Sequence, residues 1–191
     1  MNVGIIVEGL YDSKTYPVLI QKIRADIDRV LCIDCGGLPK LRNKFVSFIK
    51  YFDSRHDLNL AKVLVIRDSD CGDPGPLEQE LRHRLENSRF RPRFPVHFYA
   101  TKCKLESWLL ADEVAINSVA HARNKPRTVE KVDAALEKVR EADELLAKTL
   151  WRVGLPADEQ VYAEIARFAD LGKLAGRCPY FQEFEKCVGA C

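Results

Sequence analysis

The stretch Lys62-Val-Leu-Val-Ile-Arg-Asp-Ser-Asp70 decides the fold. Its centre is a continuous run of β-branched residues and leucine, as expected of a strand buried on both faces, and such strands belong to parallel sheets covered by helices. The run then ends on acid. Asp68 and Asp70 close it, and the turn-rich Cys71-Gly-Asp-Pro-Gly-Pro76 follows.

Upstream, Val3 to Val7 predicts a first strand ending at Glu8-Gly9. Asp12 is a candidate N-cap, and Leu19, Ile23, Ile27 and Val30 recur at helical spacing. Val30 to Asp34 predicts a second strand. Gly36-Gly37 breaks it, and Leu41, Phe45, Phe48, Ile49 and Phe52 mark a helix opening near Pro39. Downstream, Leu77, Leu81 and Leu85 give a third helix and Pro95 to Ala100 a fourth strand. Leu105, Trp108 and Leu109 give the next helix face. The expectation for residues 1–112 is an α/β domain, a four-stranded parallel sheet flanked by helices through right-handed crossovers.

Residues 113–191 carry no strand pattern, so the expectation is a helical C-terminal extension packed on the sheet domain. Its predicted helices run from Thr128 to Trp151, with Val132, Leu136 and Val139 as the apolar face, and from Asp158 to Lys173, with Val161, Ile165 and Phe168. Pro179 opens a last short helix containing Phe181 and Phe184, and His121 to Arg127 reads as the connecting loop.

Composition narrows the class. Apolar residues make up 47% and charged residues 30%, as in a water-soluble domain, and no apolar run approaches the roughly 20 residues of a membrane span. The first nine residues read as a strand rather than a signal peptide. The seven cysteines are an odd number without a disulfide-framework spacing. They predict reduced thiols and a cytoplasmic protein. Cys32 and Cys35 form a C-x-x-C, but at a strand end the two face opposite ways, which disfavours zinc or redox use. Cys178, Cys187 and Cys191 lack an identifiable fourth ligand. Net charge is +2, so attraction for a polyanion must be local.

Parallel strands bring their carboxyl ends to one edge, where open α/β sheets bind ligands. Glu8, Asp68 and Asp70 are predicted there, with Glu106 just beyond strand four. Asp68 and Asp70, at i and i+2, project to one side if the backbone stays extended. Converging carboxylates repel one another unless a hard cation neutralises them, and magnesium (or manganese) is the natural occupant. Glu106 either joins them around a second cation or serves as a helix-N-terminal acid. Asp12 has a possible outer-shell role beside its capping one. The phosphate contacts predicted on this edge are Lys40, Arg42, Lys44 and Lys104, with Lys102 placed to stabilise developing negative charge. Arg82, Arg84, Arg89, Arg91 and Arg93 are denser, but the helix holding the first two leads away from the acidic edge and leaves the last three near the opposite one.

At these residues the chain resembles the Toprim superfamily. The resemblance rests on Ile5 to Asp12, the Gly36-Gly37 turn and Val63 to Asp70, and it covers roughly Val3 to Asp112. Within that group, Lys104 to Asp112 and Arg177 to Phe184 resemble a bacterial Toprim-like family of unknown function. That family is related to the OLD (overcoming lysogenization defect) nucleases and is often encoded near AAA ATPases. The resemblance implies magnesium-dependent hydrolysis of nucleic-acid phosphodiesters, in phage defence or DNA repair. The sheet part already supplies helices for both its faces, so part of the extension's apolar surface is expected to remain for another chain. The resemblance points to an AAA ATPase as that partner, and a homodimer is the simpler alternative. The alternative is a non-catalytic adaptor of an ATPase. A strand-passage enzyme would need a nucleophilic tyrosine or partner domains that this chain does not clearly supply, and a receiver-like phosphoacceptor would need a fifth strand with a lysine.

Overall fold

The computed structural model describes residues 1–190; Cys191 lies outside the described residues. Four parallel strands, β1 (Asn2–Val7), β2 (Arg29–Asp34), β3 (Leu60–Asp68) and β4 (Val96–Thr101), pair in the order β2-β1-β3-β4. The register sets Ile5 beside Leu64 and Asp68 beside Thr101. β3 is central and buried through its middle on both faces, which is why its apolar residues run without alternation. Gly4 is the point of closest approach. A Cβ there would meet Val63 Cγ2 at 3.0 Å and the Phe52 ring at 3.2 Å.

One sheet face carries Ile6, Val63 and Val65 against α2 (Leu38–Ser54) and α3 (Pro74–Asn87), through Leu41, Phe45, Ile49 and Leu81. The opposite face carries Val3, Ile5, Val7, Leu64 and Ile66 against α1 (Leu10–Ile23) and α4 (Leu105–Leu109). This second cluster continues into α5 (Glu113–Ala122), α6 (Ala142–Arg152), α7 (Glu159–Phe168), α8 (Leu171–Arg177) and α9 (Pro179–Gly189). α1 lies against α7, and α9 against β4. Trp108 is fully buried at the junction, with its ring centroid 5.0 Å from Phe181, 5.2 Å from Phe184 and 6.0 Å from Tyr16. The apolar surface expected to remain for another chain is therefore largely spent on this core. Trp151 and Phe168 stay outside it, at 77% and 50% exposure.

Several local expectations are corrected. Asp12 is not the N-cap of α1. Gly9 is, and Asp12 sits three residues in, accepting a bond from Gly9 N at 3.1 Å. α1 also stops at Ile23, so Ile27 and Val30 belong to the connector and to β2. Residues 123–141 do not continue a helix. Asn117 holds Val129 N and O through its side-chain amide, Arg177 donates to Val132 O, and only one 3₁₀ turn forms, Leu136–Lys138. The apolar positions there face the core from an irregular chain. The predicted Asp158 to Lys173 helix breaks at Ala169, whose backbone is extended, because Asp170 caps α8 through Lys173 N while its own N–H donates to Asp112 Oδ2 at 2.8 Å.

The expectation of reduced thiols throughout is also corrected, since Cys71 and Cys103 are joined by a disulfide. β3 and β4 are neighbours, so the loops that follow them run side by side. Cys32, Cys35, Cys178 and Cys187 are free. Burial pushes the Cys32 and Cys35 thiols up to about 12, which suits inert packing rather than metal or redox chemistry. No helix among the described residues is long and apolar enough to cross a membrane.

If the extension shares the core, Phe184→Ala should destabilise the chain by about 3–5 kcal/mol. Urea unfolding should show one transition with a lowered midpoint. Two separable transitions, with the first insensitive to the substitution, would contradict a shared core.

Candidate active site

The carboxyl ends of β1, β3 and β4 open onto a pocket of about 330 Å³ lined by Glu8, Asp12, Asp68, Asp70, Glu106 and Asp143, with Tyr11 and Lys104 also on its wall. The sheet builds its floor. Glu8 follows β1, and its Oε1 accepts from Asp68 N at 3.0 Å, while its carbonyl accepts from Gly37 N at 2.6 Å. One residue thus fixes the ends of two strands and the turn after a third. That turn needs glycine, for Gly36 and Gly37 sit at φ +69° and +116°.

Asp68 ends β3, but the chain does not stay extended to Asp70 as the i, i+2 argument required. Asp70 has φ 48°, and Gly72 N returns to Ser69 O at 2.8 Å. The turn still leaves Asp70 on the pocket wall. Asp12 enters from the first turn of α1, Glu106 from α4 and Asp143 from α6.

Two cations face these six acids. Arg67, 7% exposed, donates through Nε to Asp68 O and lies 4.0 Å from Glu8 Oε1. Lys104 pairs with Asp143 at 3.0 Å. The imbalance moves the acids upward. Asp68 is held well above the usual carboxylate range by burial, then by the charges of Asp12, Glu106, Glu8 and Asp70. Asp12 is pushed up to about 7 by burial and by Glu106. Glu8 and Glu106 are also raised, chiefly by burial. Glu106 stands in the first turn of the five-residue α4, and burial outweighs the lowering by its own backbone N–H.

The donor chemistry suits a hard divalent cation, since the lining offers carboxylate oxygens and no thiol or imidazole. Among the described residues, no three His, Cys, Asp or Glu side chains close on a common point. Magnesium does not require that, because it keeps several waters and takes one or two carboxylates directly.

The predicted basic residues divide. Lys104 lines the pocket. Lys102 donates to Gly72 O at 2.8 Å and lies over the Tyr180 ring, which ties it to the loop after β3 rather than leaving it in the pocket. Arg42 is committed to Glu80 at 2.6 Å and gives its carbonyl to Arg84. Lys40 and Lys44 are exposed on α2, Lys40 beside Gly36. Arg93 sits at the other end of the sheet with Asp53 and His56.

Sequence reasoning missed Arg67 and Asp143 as members of the site. Arg67 had a local signal, a charge closing an apolar strand directly before Asp68. Asp143 had none, because only the packing of α6 on α4 brings it to the edge. Tyr11 was also missed. Its ring lies 4.8 Å from that of Tyr162 and its hydroxyl donates to Ala157 O at 3.1 Å, leaving it 40% exposed on the pocket wall.

Fold and site together define an α/β protein, a four-stranded parallel sheet flanked by helices, with an acidic pocket at the carboxyl edge of its sheet. No family model and no curated protein matches the chain. Among solved structures, the C-terminal region of the Xanthomonas campestris pv. campestris OLD protein aligns over 98% of this chain and 98% of that one, with a TM-score of 0.47 and 14% identity.

The raised carboxyls set a pH dependence. Asp12, pushed up to about 7, holds a proton in the folded chain that the unfolded chain has already released above its ordinary value of 3.8. Cation-free stability is therefore lost between those two values as pH rises. His97, whose imidazole burial pushes down, acts in the opposite sense near neutrality, so the comparison with Asp12→Asn isolates the carboxyl. In chelator, Asp12→Asn should gain on wild type in thermal midpoint from about pH 5 to about pH 8, and added magnesium should narrow the gap. A gap that closes with rising pH in chelator would contradict the assignment.

Proposed function

We propose that this chain is a magnesium- or manganese-dependent nuclease that hydrolyses nucleic-acid phosphodiesters at the acidic pocket. The observation that carries the reading is the set of six carboxylates facing two cations on the carboxyl edge of a parallel sheet. Such a pocket lacks positive charge to hold a phosphate by itself. A divalent cation removes that conflict and, when bound, supplies the Lewis acidity that phosphodiester hydrolysis needs.

Glu8, Asp68 and Asp70, with Glu106, are the residues that would hold it. Glu8 also positions Asp68 through its backbone, and Arg67 neutralises part of the buried charge from behind. Asp12 holds the Gly9 amide and so orients the loop carrying Glu8. Lys104 is the phosphate contact with direct access to the pocket. Lys40 and Lys44 extend a weaker positive rim along α2, and Arg42 loses its place there to Glu80. Lys102 acts through the loop it braces.

The adaptor reading draws on Trp151 and Phe168, whose exposed rings suit a partner surface, whether an AAA ATPase or a second copy. Cleavage by the isolated chain separates the two readings.

With magnesium or manganese, the purified chain should cleave DNA or RNA and stop on chelation. Glu8→Gln, Asp68→Asn and Asp70→Asn should each cut the rate by about a hundredfold or more without lowering the thermal midpoint. Folded, metal-independent or fully active variants would remove the proposed site.

The placement of the basic residues gives a separate expectation. Lys104→Ala combined with Lys40→Ala should weaken nucleic-acid binding and lower the slope of log affinity against log salt by about 1 to 2. Arg91→Ala with Arg93→Ala, at the opposite edge, should change it little. Reversal of that order would put the binding face elsewhere.

A further inference from the structure

Two loops that carry acids or lysine to the pocket are cross-linked beside it. Cys71 directly follows Asp70, Cys103 directly precedes Lys104, and the disulfide joins them. The loops also meet through Ser69 N to Thr101 O at 3.0 Å, Asp70 N to Cys103 O at 3.2 Å and Lys102 Nζ to Gly72 O at 2.8 Å. Asp70 and Cys71 sit in the left-handed region, at φ 48° and 64°, which non-glycine residues occupy only where their surroundings impose it. The covalent link is the strongest restraint on that turn.

We propose that the Cys71–Cys103 disulfide is a redox latch on the acidic pocket. Oxidised, it holds Asp70 on the pocket wall and the cation binds; reduced, the turn relaxes, Asp70 withdraws and affinity falls. The proposal rests on the reading of the pocket as a divalent-cation site.

The chemistry is ordinary thiol exchange with a dithiol reductant. Cys71 is half-exposed and Cys103 is buried, so a reductant thiolate attacks Cys71 Sγ and breaks the S–S bond. Cys103 leaves as a thiolate and takes up a proton. The second thiol of the reductant then attacks the mixed disulfide, freeing Cys71 as a thiol and leaving the reductant as a disulfide. Cys103 Sγ lies 3.1 Å from Glu137 O, so the freed thiol would have an acceptor in place. In a reducing compartment the bond forms only transiently, which would restrict cation loading to oxidising conditions.

The test uses the full chain, oxidised in air or reduced with dithiothreitol and desalted under argon. Alkylation and mass spectrometry count thiols, manganese titration measures affinity, and amide exchange reports on residues 69–73. We expect two fewer free thiols in the oxidised chain, manganese affinity about tenfold weaker after reduction, and faster exchange of the turn. Cys71→Ser and Cys103→Ser should match the reduced chain and ignore dithiothreitol. Equal thiol counts before and after reduction, or equal affinity in both states with unchanged exchange, would overturn the latch. Manganese binding in neither state, with redox-dependent exchange of the turn, would overturn the cation reading while leaving the cross-link's hold on the turn established.

Discussion

Asp68 N donates to Glu8 Oε1 across 3.0 Å, and the arrangement of the carboxyl edge depends on that bond. It forms because β1 and β3 are parallel neighbours in the middle of the sheet, so the first residue after one strand meets the last residue of the other. The bond draws two carboxylates into one small space. α1 adds Asp12, α4 adds Glu106 and α6 adds Asp143, while Arg67 and Lys104 are the only cations lining or backing the pocket among the described residues. Burial and mutual repulsion then raise the acids together. A fold that tolerates this on its own surface edge either protonates the cluster or neutralises it from outside. The proposed cation is the second solution.

The helical extension is what keeps the edge in shape. α9 covers the sheet at β4, α7 backs α1 from outside, and the aromatic group around Trp108 locks α9 to β4 and α1. From the same packing come Asp143, on α6, and the Tyr11–Tyr162 contact, which fixes one wall of the pocket. Core and site are therefore not separable parts of the chain.

Much of the architecture was legible in the sequence because its signals are local and periodic. KVLVIR reads as a doubly covered strand, Gly36-Gly37 as a turn, and Glu8, Asp68 and Asp70 as strand-end acids, since each follows from its immediate neighbours. What was misread depends on distant partners. The Val132, Leu136 and Val139 spacing imitates a helix, yet Asn117 and Arg177 capture the backbone there instead. The break at Ala169 is set by Asp112, 58 positions away from the residue whose N–H it accepts. The Cys71–Cys103 pairing depends on strand order, which cysteine spacing does not encode. Arg42 looked like a phosphate contact by its place on α2, and Glu80 on the facing helix takes it.

The central claim is that the carboxylates hold a divalent cation, and the most direct measurement is a crystal structure of the chain soaked in manganese, with anomalous scattering locating the ion. The account predicts a peak in the pocket within bonding distance of a carboxylate of Glu8, Asp68 or Asp70, lost in Asp68→Asn. A well-ordered pocket with no anomalous peak, or a peak only at other residues, would contradict it.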